Sequence, residues 1–368
     1  EPAGENRVAM LPEQLASLVK QGIQVMVEED AGALAFANNE LYFAAGATIV
    51  NRTTLLNSAT ILLSYWSISA EDLAKTQPGA ILVGVFQPLF NFQLMKDWAS
   101  KGCTIFSLDM IPRTTRAQSM DVLSSQANIA GYKAVLKAAD LLPRYFPMFM
   151  TAAGSIPPAK LMVLGAGVAG LQAIATAKRL GAVVEVSDTR AAVKEEVMSL
   201  GAKFIEVEGA ADASAAGGYA VEQTVEFKQK QKERLALSVA KSDVIIATAQ
   251  LQGKPAPLLI DEDMLKLMKP GAVVIDLAAS SGGNVFGVQN NATIQLHGVT
   301  LVGNSQLASD MPADASKVYG KNMFNFLQLI LTKEGAINLN FEDDIVKGCC
   351  MAHGGAIIND RIQSLLAS

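Results

Sequence analysis

The chain is poor in the side chains that most often carry nucleophilic or metal chemistry. It has 2 His and 3 Cys in 368 residues. The cysteines, Cys103, Cys349 and Cys350, are odd in number, and a bridge between adjacent cysteines is strained. They read as reduced intracellular thiols. His297 and His353 lie far apart, so no zinc set is expected and a His-centred nucleophile triad is disfavoured. A basic excess is also missing: 30 Lys and Arg stand against 35 Asp and Glu, a net charge of −5. Nothing here neutralises a phosphate backbone or an anionic bilayer, so neither nucleic acid nor direct membrane binding is expected. No stretch approaches the roughly 18 consecutive apolar residues of a membrane span. The longest apolar runs, such as 80–86, are strand-sized. No signal peptide is visible, and the start at Glu1 rather than Met reads as a processed or excised chain.

What is present suits a folded α/β protein of about two domains. Half of the residues are hydrophobic, 18% are charged and 29 are Gly. That composition excludes disorder, collagen and a disulfide scaffold. Short Val- and Ile-rich runs at 160–164, 183–187, 203–208, 244–248, 272–276 and 299–303 predict buried parallel strands. Helices are expected between them, for example at 171–180, 191–200 and 223–240. The pattern predicts a doubly wound parallel sheet, a complete dinucleotide-binding domain. A second alternation fills the first 115 residues, with strands at 25–29, 61–65, 81–86 and 104–109 and helices at 12–20 and 92–100. It predicts a separate Rossmann-like domain, one wall of a cleft, without a glycine fingerprint. A long helical segment, 116–142, joins the two, with Leu123, Ala130, Tyr132, Val135 and Leu136 as its apolar stripe. Another helix, 317–331, carries Tyr319, Met323, Phe326, Leu327 and Ile330 back toward the first domain. The expected division is therefore 1–125 with 312–368, a discontinuous domain, and 126–311. The low-complexity stretch 209–218 reads as a flexible loop.

The sharpest local signal is the Gly-Ala-Gly-Val-Ala-Gly run at 165–170, between the strand at 160–164 and the helix that follows. Gly165 suits a tight turn, Gly167 lets a pyrophosphate approach the backbone, and Gly170 permits close helix–strand packing. The helix N-terminus favours the anion. A Gly-rich packing turn is the plainer alternative. Asp188 ends the second strand, where a carboxylate accepts from ribose hydroxyls and repels a 2′-phosphate, favouring NAD over NADP. Arg190 weakens that preference, because it can pair with a phosphate. The polar loop from Arg113 through Gln118, Asp121 and Ser124 to Gln126 reads equally as a site in the cleft or as a cap and solvated turn. The loops after the fourth strand (250–257) and the fifth (276–284) face the ligand side of such sheets; Pro/Gly turn chemistry explains the first equally well. Asp276 is the one acid of the second loop. No proton-transfer residue is expected near the cleft. Reduction of a carbonyl needs one, whereas hydride transfer between two nicotinamides does not.

Together these motifs resemble the NAD(H)-binding component of proton-translocating NAD(P) transhydrogenase, within the family that also holds alanine dehydrogenase. The residues that carry the resemblance are 113–132, 152–160, the 165–170 turn, 217–220, 253–257 and 282–284, so it covers essentially the whole chain. The resemblance implies that Arg113 and Ser124 hold the nicotinamide and ribose end of NAD(H). It gives Asp121 the carboxamide, and Gln118 the reach toward NADP(H) on a partner component. Val168, Asp188, Thr189 and Arg190 would hold the adenosine half, with Gly218, Gln231 and Gln250 as further contacts in or near a mobile loop. It implies a homodimer formed largely by the nucleotide domains, and a membrane domain and an NADP(H)-binding component as partners. The chain would sit peripherally on the cytoplasmic or mitochondrial-matrix face of an energy-transducing inner membrane. The family usually has a strand ahead of the 5–9 segment. The stretches matching the substrate-binding Lys and His of alanine dehydrogenase, 62–67 and 84–88, contain neither residue, and Ser280 stands where that enzyme has its catalytic Asp. An alanine dehydrogenase-like amino-acid dehydrogenase is the first rival reading, and a non-enzymatic NAD sensor the second.

Overall fold

The computed structural model describes residues 1–2, 4–206 and 225–367, without the side chains at 225–228 and 231. The chain forms two compact units, Glu1–Gln126 with Ser309–Ser368, and Ala127–Ala308. It passes from one to the other after Gln126 and back after Ala308.

The second unit is built on a seven-stranded sheet in the order Lys203–Phe204, Val183–Ser187, Lys160–Leu164, Val244–Ala247, Val273–Asp276, Val299–Gly303, Ala292–Leu296. All pairs are parallel except the last, which is antiparallel. The central strands are apolar at every position because both faces are covered. Leu161, Val163, Val244, Ile246, Val273 and Ile275 enter one core layer. Their neighbours Met162, Leu164, Ile245, Ala247 and Val274 enter the other. This two-residue alternation puts helices Val122–Leu141 and Val168–Arg179 on one face and Val225–Val239 and Glu262–Lys266 on the other.

Three sequence expectations need adjustment here. The strand expected at 203–208 is Lys203–Phe204, its ladder continued by Ile205 N–H donating to Val186 O at 2.8 Å; residues 207 and 208 lie outside the described residues. The antiparallel edge strand Ala292–Leu296 was not expected, since its outward residues are polar and exposed in alternation. The stripe proposed for the long helix is also displaced. Leu123 and Tyr132 are exposed, and the buried face is Ala130, Ala134, Val135 and Ala138. Small residues form it because the helix packs tightly: a Cβ on Gly131 would lie 2.1 Å from Ala169 O.

The first unit has a five-stranded sheet, Ala356–Ile357, Cys350–His353, Thr104–Ser107, Ile81–Gly84, Ile61–Leu63. A separate parallel pair joins Met26–Glu28 to Thr48–Val50. A cavity of about 530 Å³ lies between the edge at Ile61–Leu63 and the edge at Met26–Glu28, lined also by Val8, Met10 and Leu15. Helices Pro12–Lys20 and Phe92–Ser100 stand where the sequence places them. Helix Pro312–Ile330 buries Tyr319, Met323, Phe326, Leu327 and Ile330 in this core. All three cysteines are free and buried.

Candidate functional site

The strand Lys160–Leu164 ends at a turn that only glycine can make. Gly165 has φ +96°, in the left-handed region. A Cβ there would stand 2.7 Å from Thr248 Oγ1, and one on Gly170 would stand 1.9 Å from Gly165 O. These two glycines are required by the protein's own packing. Gly167 is different. A Cβ on it would meet no protein atom within 4 Å, so the space above it is open. Gly167 is also the N-cap of helix Val168–Arg179 and supplies no side-chain cap. The first-turn N–H groups of that helix are therefore left for a ligand. An open cradle over bare backbone, at the positive end of a helix, fits a pyrophosphate. Val168 is 40% exposed beside it.

Asp188 sits against this turn. Its Oδ2 accepts from Ala166 N–H at 2.7 Å and its Oδ1 from Arg190 N–H at 2.8 Å. Arg190 folds back on it, Nε to Oδ1 at 3.0 Å and Nη2 to Oδ2 at 2.9 Å. Burial pushes the carboxyl up, but Arg190 and the backbone donors outweigh it, and the group is held below the usual carboxylate range. Four donors use about all the lone-pair sites of one carboxylate. A ribose diol gains access when Arg190 turns away. Thr189 is exposed between the two.

The two loops at the neighbouring strand ends are joined by Asn284, which is fully buried. Its Oδ1 accepts from Ala249 N–H, and its Nδ2 donates to Ala249 O and Pro257 O. Gln250 is exposed, and its Nε2 donates to Leu277 O at 3.0 Å. Asp276 is no free acid. It is fully buried and accepts from the N–H groups of Ala278, Asn284 and Val285. Burial raises its pKa despite those donors. It shapes the loop, and Ser280 is exposed at the loop's surface. Thr248 and Asn284 are the residues that sequence reasoning missed. Only their positions at strand ends hinted at them, since their partners lie about 30 to 80 residues away.

In the first unit, the polar loop is a short 3-10 helix, Thr115–Met120, running into helix Val122–Leu141. Ala117 and Met120 are buried and plug it into the core. Asn322 and Asn325 both donate to Ser119 O, at 2.8 and 2.9 Å. Gln118 and Arg113 are exposed on this fastened support. Asp121 accepts from Ser124 N–H at 2.9 Å and from Ser124 Oγ at 2.6 Å, a helix-start cap. The structure thus brings Asp121 and Ser124 together. Gly218 lies outside the described residues, as does the side chain of Gln231.

Neither histidine belongs to the fingerprint turn. His297 is in the hairpin before Val299–Gly303, with Nε2 3.1 Å from Glu262 Oε1. His353 ends a strand of the first unit, with Nδ1 3.0 Å from Thr104 Oγ1. Among the described residues no group of His, Cys, Asp and Glu is arranged to hold a metal.

Sheet order, fingerprint turn and strand-end carboxylate define a Rossmann-type domain that binds a nicotinamide nucleotide. The chain matches the alanine dehydrogenase/PNT family in both halves, the N-terminal domain over residues 1–130 and the C-terminal domain over residues 134–360. It belongs to that family. It is 44% identical to an NAD(P) transhydrogenase subunit alpha chain of Rhodospirillum rubrum, over 98% of this chain and 96% of that protein. The crystal structure of a transhydrogenase from Sinorhizobium meliloti superposes with a TM-score of 0.89 at 42% identity, covering 97% of each chain. Alanine dehydrogenase of Bacillus subtilis is more distant, at 25% identity over 80% of this chain and 74% of that protein. The chain therefore falls with the oxidoreductase subunits called transhydrogenase alpha.

Proposed function

We propose that this chain binds NAD(H) in its second unit and passes hydride directly to NADP+ held on a partner subunit. In the assembled complex that step is coupled to proton translocation. The observation that carries the reading is the pairing of an open backbone cradle at Gly167 with Asp188, fixed on the same turn through Ala166 N–H. The carboxylate favours the unphosphorylated ribose of NAD(H). Arg190, already beside it, reduces the margin against NADP(H). Arg113 and Ser124 hold the nicotinamide and ribose end, Asp121 holds the carboxamide, and Gln118 reaches toward the second nucleotide. Val168, Thr189, Arg190, Gly218, Gln231 and Gln250 complete the cofactor contacts. The bound dinucleotide supplies the hydride, and the chain's own residues supply proximity and orientation. No proton accompanies the hydride, which agrees with a cradle that carries no histidine.

Partner subunits follow from the naming of the relatives as alpha subunits. Among the described residues no helix is long and apolar enough to cross a membrane. A peripheral place on the cytoplasmic or matrix face of an inner membrane is the matching proposal. A homodimer is supported by the hairpin Phe149–Thr151 and Gly154–Ile156. Every residue of its strands is exposed, and Met148 and Met150 lie open at 61% and 70%. An isolated two-stranded ribbon is marginal in water, and a second copy would cover it. Met150→Asp should halve the sedimenting mass; an unchanged mass removes the hairpin from the interface.

Direct transfer is tested with NADH carrying deuterium at the transferred position, mixed with this chain and an NADP+-loaded partner subunit. The label should appear in NADPH with none lost to water. Label in the solvent would mean a proton-exchanging route and would overturn the reading.

A further inference from the structure

Glu5 and Arg7 form an ion pair that none of the functions above uses. Both side chains are almost completely buried, at 1% and 2% exposure. Arg7 donates through Nε and Nη2 to the two oxygens of Glu5, each at 2.7 Å, and its guanidinium lies 3.6 Å from the centre of the Tyr65 ring. Trp66 Nε1 donates to Glu5 at 2.6 Å. A buried pair of this kind contributes little net stability against an apolar substitute, so its retention points to a geometric role.

Its remaining hydrogen bonds show which one. Arg7 Nη1 donates to Gln126 Oε1 at 2.9 Å, and Gln126 is the last residue of the first unit on the outward pass. Ser309 Oγ donates to Glu5 Oε1 at 2.7 Å, and Ser309 is the first residue of that unit on the return. Asn6, between the paired residues, grips Ser309 as well: its N–H reaches Ser309 Oγ and its Nδ2 reaches Ser309 O. Gln126 Nε2 then donates to Ala315 O in the helix that follows the return. One tripeptide thus fastens both points at which the chain changes units.

We propose that Glu5 and Arg7 are positioning residues: their pair anchors both crossings, Gln126 and Ser309, to the first unit and so limits how far the two units turn against each other. Gln126 is two residues beyond Ser124, so the same anchor fixes the start of the helix that carries the 113–124 loop. The kinetic arm of the test rests on the hydride-transfer reading, and the distance arm does not.

Truncating Glu5 or Arg7 leaves a buried charge unpaired and threatens folding. The informative variants are therefore Gln126→Met with Ser309→Ala, and Ser309→Ala alone. Spin labels at Glu71→Cys in the first unit and Asp263→Cys in the second report the distance between units, both sites being highly exposed. In the full-length chain with its NADP-binding partner, the double variant should broaden that distribution about twofold. It should leave NADH affinity within about twofold and slow single-turnover transfer about tenfold, because misplacement costs rate rather than binding. Ser309→Ala alone should show a smaller broadening, and Ser309→Thr, which keeps the hydroxyl, none. Ser125→Ala breaks a bond of the same region that bypasses the pair, to Asn322 at 2.7 Å, and serves as control. An unchanged distribution in the double variant, or equal broadening in the control, overturns the proposal. Broadening in a system whose unaltered chain transfers no hydride supports the anchor and places the failure in the reading of the site.

Discussion

The two units solve the same topological problem with one difference at the centre. In the second, strand Lys160–Leu164 lies between Val183–Ser187 and Val244–Ala247, and its end supplies the fingerprint turn. In the first, the pair Met26–Glu28 and Thr48–Val50 stands on one side and Ile61–Leu63, Ile81–Gly84 and Thr104–Ser107 on the other. An apolar cavity lies between them where the second unit has its central strand. A strand paired on both edges can hold a turn rigidly enough to present bare backbone to an anion. The first unit, among its described residues, offers no such strand end. That is why the nucleotide site is assigned to the second unit, and why the first contributes a loop fastened by Asn322 and Asn325.

The largest expected effect separates the two kinds of glycine. Gly170→Ala places a Cβ 1.9 Å from Gly165 O. It should destabilise the second unit by about 3 kcal/mol and abolish measurable NADH binding, read by thermal unfolding and titration. Gly167→Ala should leave the melting temperature unchanged yet weaken NADH about tenfold, since its open face meets only the ligand. If both lower the melting temperature equally, Gly167 belongs to the packing and not to the cradle.

Asn284→Ala comes next. It strips two loops of their shared hydrogen bonds and should cost about 3 kcal/mol, with unfolding by urea as the check. Asp188→Ala should weaken NADH about 10- to 100-fold by removing charge-assisted acceptors. Arg190→Ala should widen the preference for NADH over NADPH, because the cation available to a 2′-phosphate is gone. Identical nucleotide ratios before and after would detach Arg190 from specificity.

Much of this was legible in the sequence, for a definite reason. Buried parallel strands are apolar throughout, and a helix such as Pro312–Ile330 shows its buried face at i, i+4, i+7, i+8 and i+11. Local rules find both. The 165–170 turn was legible because its context, strand then helix, is also local. What escaped depends on partners far away in the chain. Asn284 and Thr248 act across neighbouring strands, and Arg7 meets Gln126 at a separation of 119 residues. The long helix misled because Ala and Gly, weak hydrophobic signals, make its buried face. Asp276 passed for a free acid because sequence shows the carboxylate but not the three backbone donors around it.

The smallest expected effect concerns the first unit's surface. Arg116 holds Asp343 down to about 2, and also contacts Asp344. The folded pKa lies below the unfolded one, so this pairing stabilises above the unfolded carboxylate value and fades as pH falls through about 2. Arg116→Ala should return the Asp343 titration toward about 4, read by carbon-13 NMR. Both partners are solvent-accessible, so the melting temperature should barely move.

The central claim is tested most directly by the rate of NADH oxidation by this chain with two acceptors. One is NADP+ bound to a transhydrogenase NADP-binding subunit, and the other is pyruvate with ammonia. Fast oxidation with the first alone, slowed by Gln118→Asn without loss of NADH affinity, is the predicted result. Oxidation with pyruvate and ammonia would contradict it, and would mean that a proton donor operates in a cradle that shows none.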